Sequence, residues 1–133
     1  QVGKTAQNWS DAQMVCQNLG GNLASIHNEQ ENSFIRGLAA ANGDTNGLFI
    51  GGSRDGQGKL FGWIDGSDWD YANFYPGFPK NGFGDCLAMD TTSPSGLWMN
   101  MDCSAALPVA CVRGREMHVI SYTNLSIPKK SFH

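Results

Sequence analysis

Four cysteines, three histidines and the acidic run Asp65, Asp68, Asp70 are the residues whose types could carry covalent, metal or acid–base chemistry in this 133-residue chain. Cys16, Cys86, Cys103 and Cys111 have 69, 16 and 7 residues between them. A zinc site usually draws on a close Cys pair with further Cys or His at hand, and this chain has neither a CxxC pair nor His beside the cysteines. An even, widely spaced set is the pattern of two disulfides; three pairings are open, and the bonds imply an oxidising compartment. His27 precedes a helix cap and reads as structural, while His118 and His133 have no Cys or Ser arranged beside them as a nucleophile. The three Asp fall in a turn-like stretch without a general-acid partner, so solvated turn residues account for them better than a catalytic carboxylate group. The chain is expected not to be an enzyme.

The elements that must position these residues divide the chain in two. Ser10 with Gln13 forms a capping box, and Trp9, Ala12, Cys16 and Leu19 recur at helical spacing, which predicts a helix over Asp11 to Leu19. Asn28 with Glu31 repeats the cap signature ahead of Phe34, Ile35, Leu38 and Ala41, predicting a second helix over Glu29 to Ala41, ended by Asn42 and Gly43. From Leu48 onward the helical period is lost. Strand-sized stretches follow at Leu48 to Ile50, Leu60 to Ile64, Cys86 to Met89, Leu97 to Met101 and Val109 to Val112. Residues 65 to 85 hold Gly66, Gly77, Gly82, Gly84, Pro76 and Pro79 without periodicity, and an irregular segment of that length is usually functional.

Composition narrows the class further. The length suits one domain of about 100 to 200 residues, and 41% hydrophobic residues support a core. A net charge of −3 lacks the basic footprint that phosphate neutralisation needs, so nucleic acid is not an expected partner. The longest apolar run, Ala105 to Val112, is interrupted by Pro108 and falls short of the roughly 20 residues of a membrane span. Two sequons, at Asn8 and Asn124, mark candidate glycosylation sites and fit a secreted or extracellular location. Residues 114–133 form a separate basic zone, an extension or linker in which Met117 to Leu125 is β-prone and reads as an added strand or a lead into a following domain.

Several of these segments together resemble the C-type lectin-like domain. They are Cys16 with Leu19-Gly20-Gly21-Asn22-Leu23-Ala24-Ser25-Ile26, Phe49-Ile50-Gly51-Gly52, Gly84-Asp85-Cys86, Gly96-Leu97-Trp98 with Cys103, and Pro108-Val109-Ala110-Cys111. The resemblance covers about residues 5 to 113, so residues 1–113 are read as the domain, with only the end of its first strand present in Gln1 to Thr5. The style of the sequence is similar to secreted invertebrate members, nematode ones in particular. The resemblance implies an α+β fold with two helices, small antiparallel sheets and a long irregular loop, and an extracellular recognition role of the kind that serves innate immunity. It also implies the pairings Cys16 to Cys111 and Cys86 to Cys103, and a cis bond before Pro79.

In sugar-binding members of that family one calcium ion sits in the long loop, held by an acid-or-amide triplet around a proline, a Glu before the Asp-Cys pair, and an Asn-Asp pair after the Trp. The positions here read Phe78-Pro79-Lys80, Gly84 and Met99-Asn100, leaving Asn100 as the one side-chain oxygen and placing a cation where the ion would lie. Calcium needs six to eight oxygens. Calcium and other cofactors are therefore not expected, and Asp55 in the Arg54 to Gly58 stretch does not restore a site. The loop offers aromatics instead: Trp69, Tyr71, Phe74, Tyr75, Phe78 and Phe83 are six of the fourteen within fifteen residues. Trp69 and Phe74, like Trp63 and Trp98, are expected in the core. Tyr75, Phe78, Lys80, Asn81, Phe83, Asp85, Met99, Asn100 and Asp102 are the candidates for binding an extracellular protein without calcium. A carbohydrate bound by aromatic stacking or a relocated calcium is the alternative, and mineral adsorption by the acidic 55–70 face is a further one.

Overall fold

The computed structural model describes residues 8–41, 47–54, 60–114 and 116–120. The expected helix stop at Asn42 and Gly43, the remnant strand in Gln1 to Thr5, Asp55, Asn124 and His133 lie outside the described residues. Helix α1 (Trp9–Asn18) starts two residues before the predicted position. Its cap is Asn8, whose side-chain oxygen accepts from Asp11 N at 2.8 Å, and not Ser10. The predicted capping box fails because Gln13 is turned inward, where it bonds Asn22 and the backbone N–H of Leu23. Helix α2 (Glu29–Ala41) matches its prediction, with Glu31 N donating to the Asn28 side chain.

The strands are β1 (Asn22–Leu23), β2 (Leu48–Ser53), β3 (Gly62–Trp63), β4 (Cys86–Met89), β5 (Trp98–Met101), β6 (Val109–Arg113) and β7 (Glu116–Ile120). They form one seven-stranded sheet in the order β1-β6-β2-β4-β5, with β3 on β2 and β7 on β6. The pairings are antiparallel, as expected, except that β2 and β6 pair in parallel through Phe49 and Val109, because the chain between them makes a long excursion before returning, so the described strands join in one mixed sheet. Leu60 to Ile64 yields only the two residues of β3, since Leu60 faces solvent and only Phe61 and Trp63 turn inward. In the C-terminal extension, all five residues of β7 pair with β6, and Met117 packs on the core.

Burial sorts by strand alternation into two clusters. Leu48, Ile50, Leu87, Met89 and Trp98 face α2, while Phe49, Cys86, Ala88, Val109 and Cys111 face α1. Trp98, fully buried, meets Trp63, Trp69, Tyr71 and Phe74 edge-on at centroid distances of 5.5 to 6.0 Å. Edge-to-face contacts of this kind add to the burial of such rings, and here they fold the start of the long loop down onto the sheet. The disulfides are Cys16–Cys111 and Cys86–Cys103, the pairings the resemblance implies. The first joins α1 to β6, and the second ties the start of β4 to the turn after β5.

Candidate functional site

The long loop leaves β3, crosses the edge of β5 at residues 73–75 and turns back into β4. Trp98 N donates to Asn73 O and Tyr75 N donates to Trp98 O, so the loop is laid along the strand by main-chain bonds. Beyond this point it carries the cis Phe78–Pro79 bond and a tight turn in which Phe83 N donates to Lys80 O.

The polar group that closes this excursion is Asn100, 1% exposed on β5. Its Oδ1 accepts from Lys80 N at 2.9 Å, and its Nδ2 donates to Lys80 O at 2.7 Å and Gly84 O at 2.8 Å. A carboxamide matches one N–H and two carbonyls with its own acceptor and two donors, so the side chain acts as a main-chain clamp. Gly84 has φ +135°, and a Cβ there would lie 2.0 Å from the Met101 carbonyl. No side chain, and hence no carboxylate, fits at that position with this backbone.

Around the clamp Tyr75, Phe78 and Phe83 form a chain of rings, with centroids 6.1 and 5.6 Å apart, and Phe83 is 54% exposed. Lys80 Nζ lies 4.8 Å from the Phe78 centroid and 5.5 Å from that of Phe83, a cation held against two aromatic faces. The Tyr75 hydroxyl donates to Asp90, which raises the phenol pKa; burial acts in the same direction. Asn81 is exposed in the turn between them.

Three other candidates do not join this surface. Met99 faces the opposite side of the sheet from Asn100, as strand alternation requires, with Ala88 as its cross-strand partner. Asp85 is engaged by Arg54 Nε at 3.1 Å, and the Arg54 guanidinium lies over the Phe61 ring. Asp102 accepts from the N–H and hydroxyl of Ser104, bonds that lower its pKa and close a turn. The residues at the family's calcium positions therefore do not fit the ion: Asn100 already bonds the main chain through its oxygen and its amide, and Lys80 brings a positive charge. Asn8 caps α1 and is half-buried.

Sequence reasoning missed a polar staple at the base of the loop. His27 Nδ1 is 2.7 Å from Asp70 Oδ1, and its Nε2 is 3.1 Å from both Ser25 Oγ and Ser67 Oγ. Both hydroxyls donate to Asp65, at 2.7 and 2.6 Å. With their protons turned to Asp65, they offer His27 lone pairs, the reverse of a nucleophile handing its proton to a base. The second omission is Asn32, 1% exposed, which accepts from Trp98 Nε1 and donates to Ser95 O and Gly96 O. Its signal was legible: Asn32 shares the i, i+3, i+7 stripe of Ile35 and Ala39, where a polar residue needs a partner.

Burial raises the pKa of Asp65, but bonds from Ser67 and Ser25 and the nearby His27 outweigh it, and the net shift is downward. A depressed folded-state pKa stabilises the fold above the unfolded value near 3.8 and loses that contribution as pH falls through the folded value. Melting temperature should therefore hold steady above about pH 5 and drop below about pH 4, and Asp65→Asn should shrink the drop. An acid limb of unchanged size in that variant would show that the staple adds nothing.

Comparison with known proteins bears on the whole arrangement. The family model for the lectin C-type domain matches residues 5–113. A lectin from Pleurodeles waltl is 36% identical over 111 residues, covering 80% of this chain and 64% of its own length. The chain thus spans less than two thirds of that relative. Among solved structures, human lithostathine superposes with a TM-score of 0.74 at 26% identity, over 79% of this chain and 82% of that one. A calcium-independent type II antifreeze protein superposes with a TM-score of 0.70 at 30% identity, over 80% and 78%. The curated relatives are vertebrate, so the expected likeness to invertebrate and nematode members is not supported.

Proposed function

The chain belongs to the C-type lectin domain family, and on that premise we propose that it is an extracellular recognition module that binds its ligand without calcium through Tyr75, Phe78, Lys80 and Phe83. The observation that carries this reading is the Asn100 clamp: the residue at a family ligand position holds the loop's own main chain, so a bridging ion is not needed to shape the surface. Two disulfides fit an oxidising, extracellular setting. Rigid rings with few rotatable bonds are effective at burying area on a protein partner, and an aromatic-backed cation adds a directional charge.

A protein ligand is the first reading. A glycan is the second, favoured by the exposed Phe83 ring, on which the apolar face of a sugar could stack. The 36% identical relative is named a lectin, and this gives the second reading its weight.

The test has two parts. Calorimetry on the oxidised protein should show no saturable heat with calcium up to about 1 mM, the range of extracellular calcium modules. Arrays of secreted proteins and of glycans, probed with and without EDTA, should give binding that EDTA leaves unchanged. Phe78→Ala should weaken that binding by about 30-fold or more, as expected for truncating a central aromatic anchor. Micromolar calcium binding, or capture that EDTA abolishes, would overturn the proposal.

A further inference from the structure

A second concavity lies on the other face of the sheet from Asn100. It has a volume of about 180 Å³ and is walled by Ala88, Met99, Met101 and Leu107, with Gly47, Met89 and Asp90 also lining it. Its origin is geometric. Helix α1 packs on β1, β2 and β6, so the outer end of the β4–β5 pair on this face is closed by the half-buried Met99, Met101 and Leu107. Engineered apolar cavities of about 150 Å³ take up benzene, so this space accepts one ring or a chain of about six carbons. Methionine thioethers are flexible and polarizable and adapt to such guests.

Charge selects among them. Among the described residues, Asp90 is the one ionisable residue in the wall. Burial raises its pKa, yet bonds from Thr92 and Tyr75 outweigh this and hold the carboxylate ionised. Its oxygens already accept from Thr92 N and Oγ1 and from the Tyr75 hydroxyl, so the carboxylate acts on a guest through its negative charge and not through a vacant hydrogen-bond position. An anionic head group would be repelled here and a cationic one attracted.

We propose that this cavity is a binding site for small amphiphilic amines, whose hydrocarbon part seats between Met99, Met101 and Leu107 and whose ammonium group meets Asp90. Since Asp90 also holds the Tyr75 hydroxyl, the site touches the long-loop surface through one side chain, but it stands or falls independently of what that surface binds.

The chain carries its own reporters, because it has five methionines: Met99 and Met101 in the wall, Met89 buried in the other cluster, and Met14 and Met117 elsewhere. Protein labelled with ¹³C at the methionine methyls is titrated with hexylammonium, 1-hexanol and hexanoate. Hexylammonium should shift the Met99 and Met101 methyls saturably, with a Kd of about 1 mM for a seven-heavy-atom ligand, while exposed Met14 stays still. Hexanoate should bind at least about tenfold more weakly. Ala88→Leu fills the space and should abolish the shifts; if that variant does not fold, Asp90→Asn should bring hexylammonium down to the affinity of hexanol. Shifts of Met14 in parallel with Met99, hexanoate binding as well as hexylammonium, or no saturation would each overturn the proposal.

Discussion

Replacing Cys16 and Cys111 together with alanine is expected to lower the unfolding free energy by about 4 to 5 kcal/mol, the loop-closure entropy of a cross-link spanning 95 residues. Small domains are stable by about 5 to 15 kcal/mol, so much or all of the margin disappears. Breaking Cys86–Cys103, which spans 17 residues, is expected to cost about 3 kcal/mol on the same account. The long-range bond also lies deep: Cys16 and Cys111 are 0 and 2% exposed among Leu23, Phe49 and Val109, so alanine additionally removes packed sulfur from the α1 face. Urea denaturation of the two double variants decides the matter. A Cys16/Cys111 variant no less stable than the Cys86/Cys103 variant would mean that denatured-state structure, and not closure entropy, controls the effect.

The second large effect concerns the clamp. Asn100→Ala leaves the Lys80 N–H and the Lys80 and Gly84 carbonyls without their partner, and buried main-chain groups in that condition cost about 1 to 3 kcal/mol each before water reaches them. A net loss of about 2 to 4 kcal/mol in urea denaturation is expected, with faster exchange of the Lys80 amide and loss of ligand binding. Lys80→Ala is the informative contrast. Its main chain still meets Asn100, so stability should stay within about 0.5 kcal/mol while ligand binding falls. Asn100→Asp should also destabilise, because a carboxylate faces two carbonyl oxygens where the amide donated. Unchanged protection of the Lys80 amide in Asn100→Ala would remove the clamp from the account.

Much of the framework was legible because its signals are local. Helix α2 announces itself through Asn28, Glu31 and an apolar stripe, all within one or two turns. Strands β2, β4, β5 and β6 follow from short apolar runs between turn residues. Even here a local signal misled at α1, where Ser10 and Gln13 satisfy the capping pattern but Asn8 caps the helix, since Gln13 is drawn to Asn22 and Leu23 across the packed turn.

By itself the sequence determined the two helices, the main strands, the even cysteine set and the absence of carboxylates from the family's ion positions; the pairing of the cysteines came from resemblance, because four cysteines leave three choices open. Tertiary structure alone decided what the polar residues do. A polar side chain on a strand can meet solvent, an ion or a returning loop, and nothing within a few residues of Asn100 says which; its partners sit 16 and 20 positions away. Likewise Asp70 finds His27 across 43 residues, and Asn32 finds Trp98 across 66. Met99 shared a motif with Asn100 yet faces away from it, because adjacent strand residues point to opposite sides of the sheet. Backbone propensities and apolar periodicity act over a turn or a strand, whereas hydrogen-bond partners and cavities are set only once distant segments meet, and both proposed binding surfaces depend on such meetings.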